Sequence, residues 1–355
     1  MTSRERVFMA LAHEEPDRPP ISATYTPEVV SILRDKFGRE EDDLGYVMGN
    51  DLVKTTVGME NSYYMYDTPT YTCPFGVEWR NVRNYTGAYT EIIGGALCDD
   101  EDGEKLAAYQ IPDPDNPDLY THVKAAVEKY GKEKFIIGSC QCSIFETAWY
   151  LHGMEDTLMD MAADEDYANE LFDKIMQFPL KAGLHMIEAG ADMIWLGDDI
   201  ATQRNLMMSL PMWRKYFKPR FAKMYEEFRK AKKDIVIAYH SCGNCQDAID
   251  DMIEIGLNVL NPIQPLAMDP YMIKQRYGKK LTMFGAIDVQ ELMPHGTKEE
   301  IVQTVRDYKK YLGAGGGYIL SPAHHLQSDT GLENIMAFYD EAKKPVEAYD
   351  HKYCK

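Results

Sequence analysis

No stretch of the chain approaches the ~18 consecutive apolar residues that a membrane span requires. The N-terminal MTSRERVF also lacks the apolar core of a secretory signal. The expectation is a cytoplasmic protein with no membrane partner. Basic charge is scarce as well: 38 Lys and Arg stand against 57 Asp and Glu, a formal net charge of -19. Such a surface repels phosphate backbones and anionic lipid, and no local Lys/Arg run offsets it, which argues against nucleic acid. Cysteines number only seven in 355 residues. An odd count in a long chain without a secretory signal excludes a disulfide framework and favours reduced thiols, some free to hold a metal.

What is present is enough for a large core, 45% hydrophobic residues in a length normal for one α/β barrel with insertions. Thr2 and Glu5 have capping-box spacing ahead of Val7, Phe8 and Leu11, so a short helix should open the chain. The prolines of HEEPDRPP end it, and residues 21–25 read as a first short strand. From about 63 to 117 Tyr and Thr alternate with polar residues, the pattern of hairpins. This segment reads as a β-rich insertion within one domain spanning 1–355, its tyrosines serving hairpin packing rather than substrate.

Beyond Pro117 a strand-and-helix rhythm sets in. Apolar runs at 135–140, 193–201, 234–240, 257–264, 281–288 and 317–327 lie between stretches of helical period, of which 122–131, 166–190, 212–231 and 298–315 are the longest. Short continuous apolar strands between amphipathic helices imply a parallel sheet covered on both faces. The number of units points to a (β/α)8 TIM barrel with a β-hairpin insertion in its N-terminal third.

One run, DIVIAYHSCGNC from Asp234 to Cys245, stops abruptly at metal-competent side chains. Alternation along a strand sends His240 and Cys242 to one face and Tyr239 and Ser241 to the other. Thiolate with imidazole suits zinc, with an open position if the site is catalytic. Gly243 and Asn244 supply a turn and an N-cap for a helix running to Gly256, and a thiol at a helix start is expected to lean toward thiolate. A redox Cys242–Cys245 pair and a merely buried pair of thiols are the competing readings.

Other strands also end in polar residues: Cys140 and Cys142, Asp198 and Asp199, Gln264, Asp288, then His324 and His325. In a barrel these ends converge on one mouth. Each aspartate could equally cap a following helix. Candidate catalytic acids are Asp198, Asp199 and Asp288; candidate substrate contacts are Tyr25, Cys140, Gln264 and Gln327.

Several segments together resemble the uroporphyrinogen decarboxylase superfamily: TSRERVFMALAHEEPDRPPI, GDDIATQRNLMMSLPMWRKYFKP, the HSCGN turn, LNPIQ, FGAIDVQELMPHGTKEEI and GGGYILSPAHHLQSDTGLENIMAFYDEA. The resemblance implies a (β/α)8 barrel with its site at the C-terminal mouth. That superfamily holds cofactor-free decarboxylases, which carry an Arg-rich segment near the first strand, and corrinoid-dependent methyltransferases, which hold zinc with His-x-Cys and a later Cys. PPISATYTPEVV has no arginine, whereas His240 and Cys242 match the first two zinc positions. The last strand offers SPAHHLQ in place of the second thiol, so His324, His325 or Cys245 is left to supply the third ligand, with His324 preferred.

The resemblance therefore implies a zinc-assisted methyltransferase. It would move a methyl group between a small donor, O-methyl (such as a methoxylated aromatic) or N-methyl, and a corrinoid carried by a partner protein. The alternatives are a cofactor-free decarboxylase or lyase of a small acid, and a binding barrel with structural zinc. A homodimer is left open.

Overall fold

The computed structural model describes residues 1–38, 41–84 and 87–354. Its strands in chain order are β1 (Leu52–Thr56), β2 (Thr70–Thr72), β3 (Val77–Asn84), β4 (Gly87–Gly95) and β5 (Phe135–Ser139). These are followed by β6 (Met193–Gly197), β7 (Val236–His240), β8 (Val259–Ile263), β9 (Thr282–Ile287) and β10 (Tyr318–Pro322). Seven of them form one parallel sheet in the order β1-β5-β6-β7-β8-β9-β10. The segment at Ile21 closes it: Ser22 N–H bonds Leu320 O and Leu320 N–H bonds Pro20 O on one side, and Asp51 N–H bonds Ile21 O on the other. The eighth stave of the TIM barrel is thus a single bridged stretch rather than a full strand.

Two layers of apolar side chains follow from the strand period. Inside the barrel stand Leu52, Phe135 with Ile137, Met193 with Trp195, Ala238, Val259, Phe284 and Ile319, every one at most 4% exposed. Outward-facing residues of the same strands pack beneath the helices. The opening helix, Ser3–Leu11, has the expected capping box of Thr2 and Glu5 and sends Val7 into the inner layer, sealing the N-terminal end. That end is also pinned by charge. Buried Asp51 accepts from Arg6 at 2.8 Å, from Arg18 at 2.7 Å and from the Ile21 N–H at 2.8 Å.

The β-rich segment is real but shorter than 63–117. β2, β3 and β4 form an antiparallel sheet that ends at Gly95, and a short helix, Glu104–Ala108, and a 3₁₀ turn, Pro117–Tyr120, follow it. β1 and the helix Pro27–Phe37 precede this sheet without having been expected. No helix among the described residues is long and apolar enough to cross a membrane.

Candidate functional site

The C-terminal ends of β1 and β5 to β10 open onto a small chamber of about 70 Å³. Trp195, Phe284 and Ile137 form its apolar part, and Lys54, Gln141 and Asn261 its polar part. His240 closes β7 there, 7% exposed, and the chain then turns back so that Cys242 Sγ lies 3.6 Å from His240 Nε2. Asp199, just past β6, completes the group: its Oδ1 lies 3.6 Å from His240 Nε2 and accepts from the Cys242 N–H at 2.7 Å.

Local sequence makes this turn possible. Gly243 sits at φ +82°, and a Cβ there would strike the backbone of Ala201 and Thr202. Gln264 holds the same turn from β8, accepting from the Gly243 N–H at 2.9 Å. Gly197 lets β6 lie against the His240 backbone, where any side chain would collide.

One imidazole nitrogen, one sulfur and one carboxylate oxygen lie within 4.8 Å of one another. Neighbouring ligands on a tetrahedral zinc are about 3.4–3.6 Å apart, given bonds of about 2.0–2.3 Å. The two 3.6 Å separations fit that spacing, and three protein ligands leave a fourth position open. His240 is prepared for the role. Burial pulls its pKa down, keeping the imidazole neutral, and its Nδ1 lies 2.7 Å from Asn261 Oδ1. With the Nδ1 proton donated to Asn261, the lone pair is on Nε2, which faces Cys242 and Asp199.

The thiol is not prepared in the way expected. Burial, reinforced by the nearby Asp199 charge, pushes Cys242 well above its ordinary pKa. The helix that was to lower it starts late: a 3₁₀ turn occupies Gln246–Ala248 and the helix proper only Ile249–Glu254. Without a cation this thiol stays protonated. Cys245 is fully buried, is pushed up to about 12 by burial, and lies outside the ligand group.

The remaining candidates separate by position. His324 lines the same chamber as His240 but is not among the atoms within 4.8 Å. Burial lowers His324 to about 4 and His325 to about 3, and Nδ1 of His325 is buried without a partner. Asp198 points away from the mouth. It accepts from the Ile144 and Glu146 N–H groups at 3.0 and 3.1 Å, which fixes the start of the helix Phe145–His152, and burial raises it to about 6. Asp288 is likewise tied up, receiving the N–H groups of Gln290, Glu291 and Leu292. Cys140, 2% exposed, packs near Gly58 and Phe178, and its neighbour Gln141 faces the chamber instead. Tyr25 Oη is 2.5 Å from Tyr339 Oη, and Tyr25 and Gln327 line a second cavity outside the chamber.

Three residues of the site, Lys54, Asn261 and Glu146, were not singled out from sequence. Lys54 reaches over Trp195, 5.2 Å from the ring, and pairs with Glu60 at 2.8 Å. Asn261 lies in a strand that reads as apolar. Glu146 receives the Asp199 N–H at 3.0 Å and the Tyr150 hydroxyl at 2.9 Å, and burial beside Asp199 and Asp198 raises its pKa strongly.

Comparison with known proteins places the chain in a family. Methylcobamide:CoM methyltransferase MtbA of Methanosarcina acetivorans is 26% identical over 252 residues, 71% of this chain and 70% of that one. The MtbA of Methanosarcina mazei is 26% identical over 254 residues with the same coverage. A solved structure of a methyltransferase from Methanosarcina mazei superposes with a TM-score of 0.72 at 20% identity, over 96% of this chain and 98% of that one, and shows the shared fold. The uroporphyrinogen decarboxylase (URO-D) family profile matches residues 54–345, and the chain belongs to that family.

Proposed function

We propose that this protein is a corrinoid-linked methyltransferase with zinc held at the barrel mouth by His240, Cys242 and Asp199. The observation that carries the reading is the convergence of three different ligand types at zinc spacing on the open end of the barrel. The named activity of the MtbA relatives supports the reaction class. When bound, zinc supplies Lewis acidity toward an oxygen or nitrogen of the methyl donor and keeps the Cys242 thiol ionised. His324, across the same chamber, is the alternative third ligand, through a ring nitrogen.

The chain's own groups do the positioning. Asn261 orients the His240 ring. Gln264 and Gly243 hold the turn that presents Cys242, and Glu146 fixes the Asp199 backbone. Trp195 and Phe284, at 5.2 Å edge to face, form a dry wall that limits the donor to a small molecule. The methyl carbon is exposed at the mouth, where the corrinoid of a partner protein would approach. The donor carries an O-methyl or N-methyl group.

Decarboxylation of a polycarboxylate fits less well. Lys54 is the only lysine or arginine lining the chamber among the described residues, and Glu60 already engages it.

The test is elemental mass spectrometry on anaerobically purified protein, with Cys242→Ala and Asp199→Ala beside it, then methyl transfer to reduced cobalamin followed by absorbance. About one zinc per chain, lost in both variants, is expected. A parent chain that takes up no zinc even when it is supplied would end the metal reading.

A further inference from the structure

A wider cavity of about 500 Å³ adjoins the metal-side chamber, and His324 and His325 line both. Tyr25, Tyr63, Tyr64 and Tyr89 line its walls, with the carboxylates of Glu28 and Glu60. Among the described lining residues there is no lysine or arginine.

Three of the four tyrosines have their polar ends tied into the protein. Tyr64 donates to Ala88 O at 2.9 Å, Tyr63 Oη lies 2.8 Å from Tyr150 Oη, and Tyr25 Oη lies against Tyr339 Oη. Trp79 braces the Tyr63 ring edge to face at 5.2 Å. The rings therefore serve as walls. Ring faces carry the negative part of the aromatic quadrupole and attract cations, most of all weakly hydrated onium groups.

The charges agree. Glu28 accepts from the Ala88 N–H at 3.0 Å, and its pKa lies below the usual carboxylate range. Glu60 is ionised too, paired with Lys54 on the side of the other chamber.

We propose that this vestibule binds the methylated ammonium head of the methyl donor, with the donor's second polar group directed toward His240, Cys242 and Asp199. This rests on the methyl-transfer reading and narrows its donor to an N-methyl cation. A quaternary nitrogen departs as a neutral amine. The C–N bond breaks with its electron pair remaining on nitrogen, and the methyl carbon bonds to the partner's reduced cobalt, which supplies both electrons. No proton is needed at the leaving atom. That suits a vestibule whose Tyr25 and Tyr63 hydroxyls are made poor acids by burial.

The experiment is calorimetric titration of the purified full chain, without corrinoid, using choline and its uncharged carbon isostere 3,3-dimethylbutan-1-ol. Tyr64→Leu, Tyr89→Leu and the matching Phe variants are titrated in parallel. Both tyrosines are 43% exposed, so these variants keep the fold. Choline should bind about tenfold or more tightly than the isostere, the Leu variants should weaken it about fivefold, and the Phe variants should retain it. Equal binding of the two ligands, no binding of either, or Leu variants that match the parent would overturn the proposal. Methyl transfer from an uncharged methoxylated donor by a protein that ignores choline would overturn it while leaving the methyltransferase reading intact.

Discussion

Asn261 offers the sharpest test of how the proposed metal site is built. Its Oδ1 accepts the Nδ1 proton of His240 at 2.7 Å, and both residues are 7% exposed, so no water stands ready to replace it. Asn261→Ala leaves a buried imidazole N–H unpaired, a cost of about 1–3 kcal/mol. It also frees the ring to rotate or change tautomer. Loss of such an outer partner lowers metal affinity about 10- to 100-fold, which is about 1.4–2.8 kcal/mol. Competition for zinc with a chelating dye at fixed pH measures this directly. Asn261→Asp keeps an acceptor in place and should bind zinc as tightly as the parent or more so. If Asn261→Ala bound zinc with unchanged affinity while His240→Ala lost it, Asn261 would not be what orients the ring, and assigning Nε2 as the metal-facing atom would fail.

Three further outcomes follow from the same packing. Gly197→Ala should lower both the melting temperature and the zinc content, because φ is +147° and the new Cβ meets the His240 backbone; strain of this kind costs about 1–3 kcal/mol before any shift of β7, and a variant melting and metallating like the parent would refute the close approach. Asp51→Ala strands the buried Arg18 guanidinium and the Ile21 N–H at the barrel seam and leaves Arg6 with Asp17 alone, so urea unfolding should show a loss of about 3–5 kcal/mol; a loss under about 1 kcal/mol would mean the seam is held otherwise. Lys274, whose Nζ donates to Gly316 O, is lowered by burial to about 8 from the ordinary lysine value of 10.5. Between those values the unfolded chain binds more protons, so this lysine's contribution to stability rises with pH from about 8 to about 10.5 and is lost again as pH falls through 8. The stability of the parent relative to Lys274→Met should increase across that window in chemical denaturation, and a pH-independent difference would contradict the burial argument.

How much of this was legible in the sequence depended on which signal each element carried. The apolar runs revealed six of the barrel strands, and the paired turn-and-cap residues after His240 marked the turn that presents Cys242. β1 escaped because LVKTT is not an apolar run; its Lys54 is polar since it faces the mouth. The helix Pro27–Phe37 follows directly on the short extended stretch 21–25 and was not read as an element. The tyrosines of the inserted segment read as hairpin packing, and only the folded chain sets Tyr63, Tyr64 and Tyr89 beside Tyr25, which follows the bridged stretch at Ile21.

The choice among polar strand ends was a question of parity. Residues alternate faces along a strand, so once one inward side chain is known the rest of that strand is fixed. Trp195 faces inward, and the same parity carried past the strand end selects Asp199 for the mouth and sends Asp198 outward to its helix. Ile137 selects Gln141 over Cys140 in the same way, Ala238 selects His240 and Cys242, Val259 selects Asn261, and Leu52 selects Lys54. What the sequence withheld was the starting phase. Strands of a buried parallel sheet are apolar on both faces, so composition cannot tell inside from outside. Only on β7, where the polar residues themselves have metal-ligand spacing, did chemistry supply the phase that hydrophobicity could not. Glu146 lies beyond even that rule, since it reaches Asp199 from a helix more than fifty positions earlier, and nothing local in either segment records the contact.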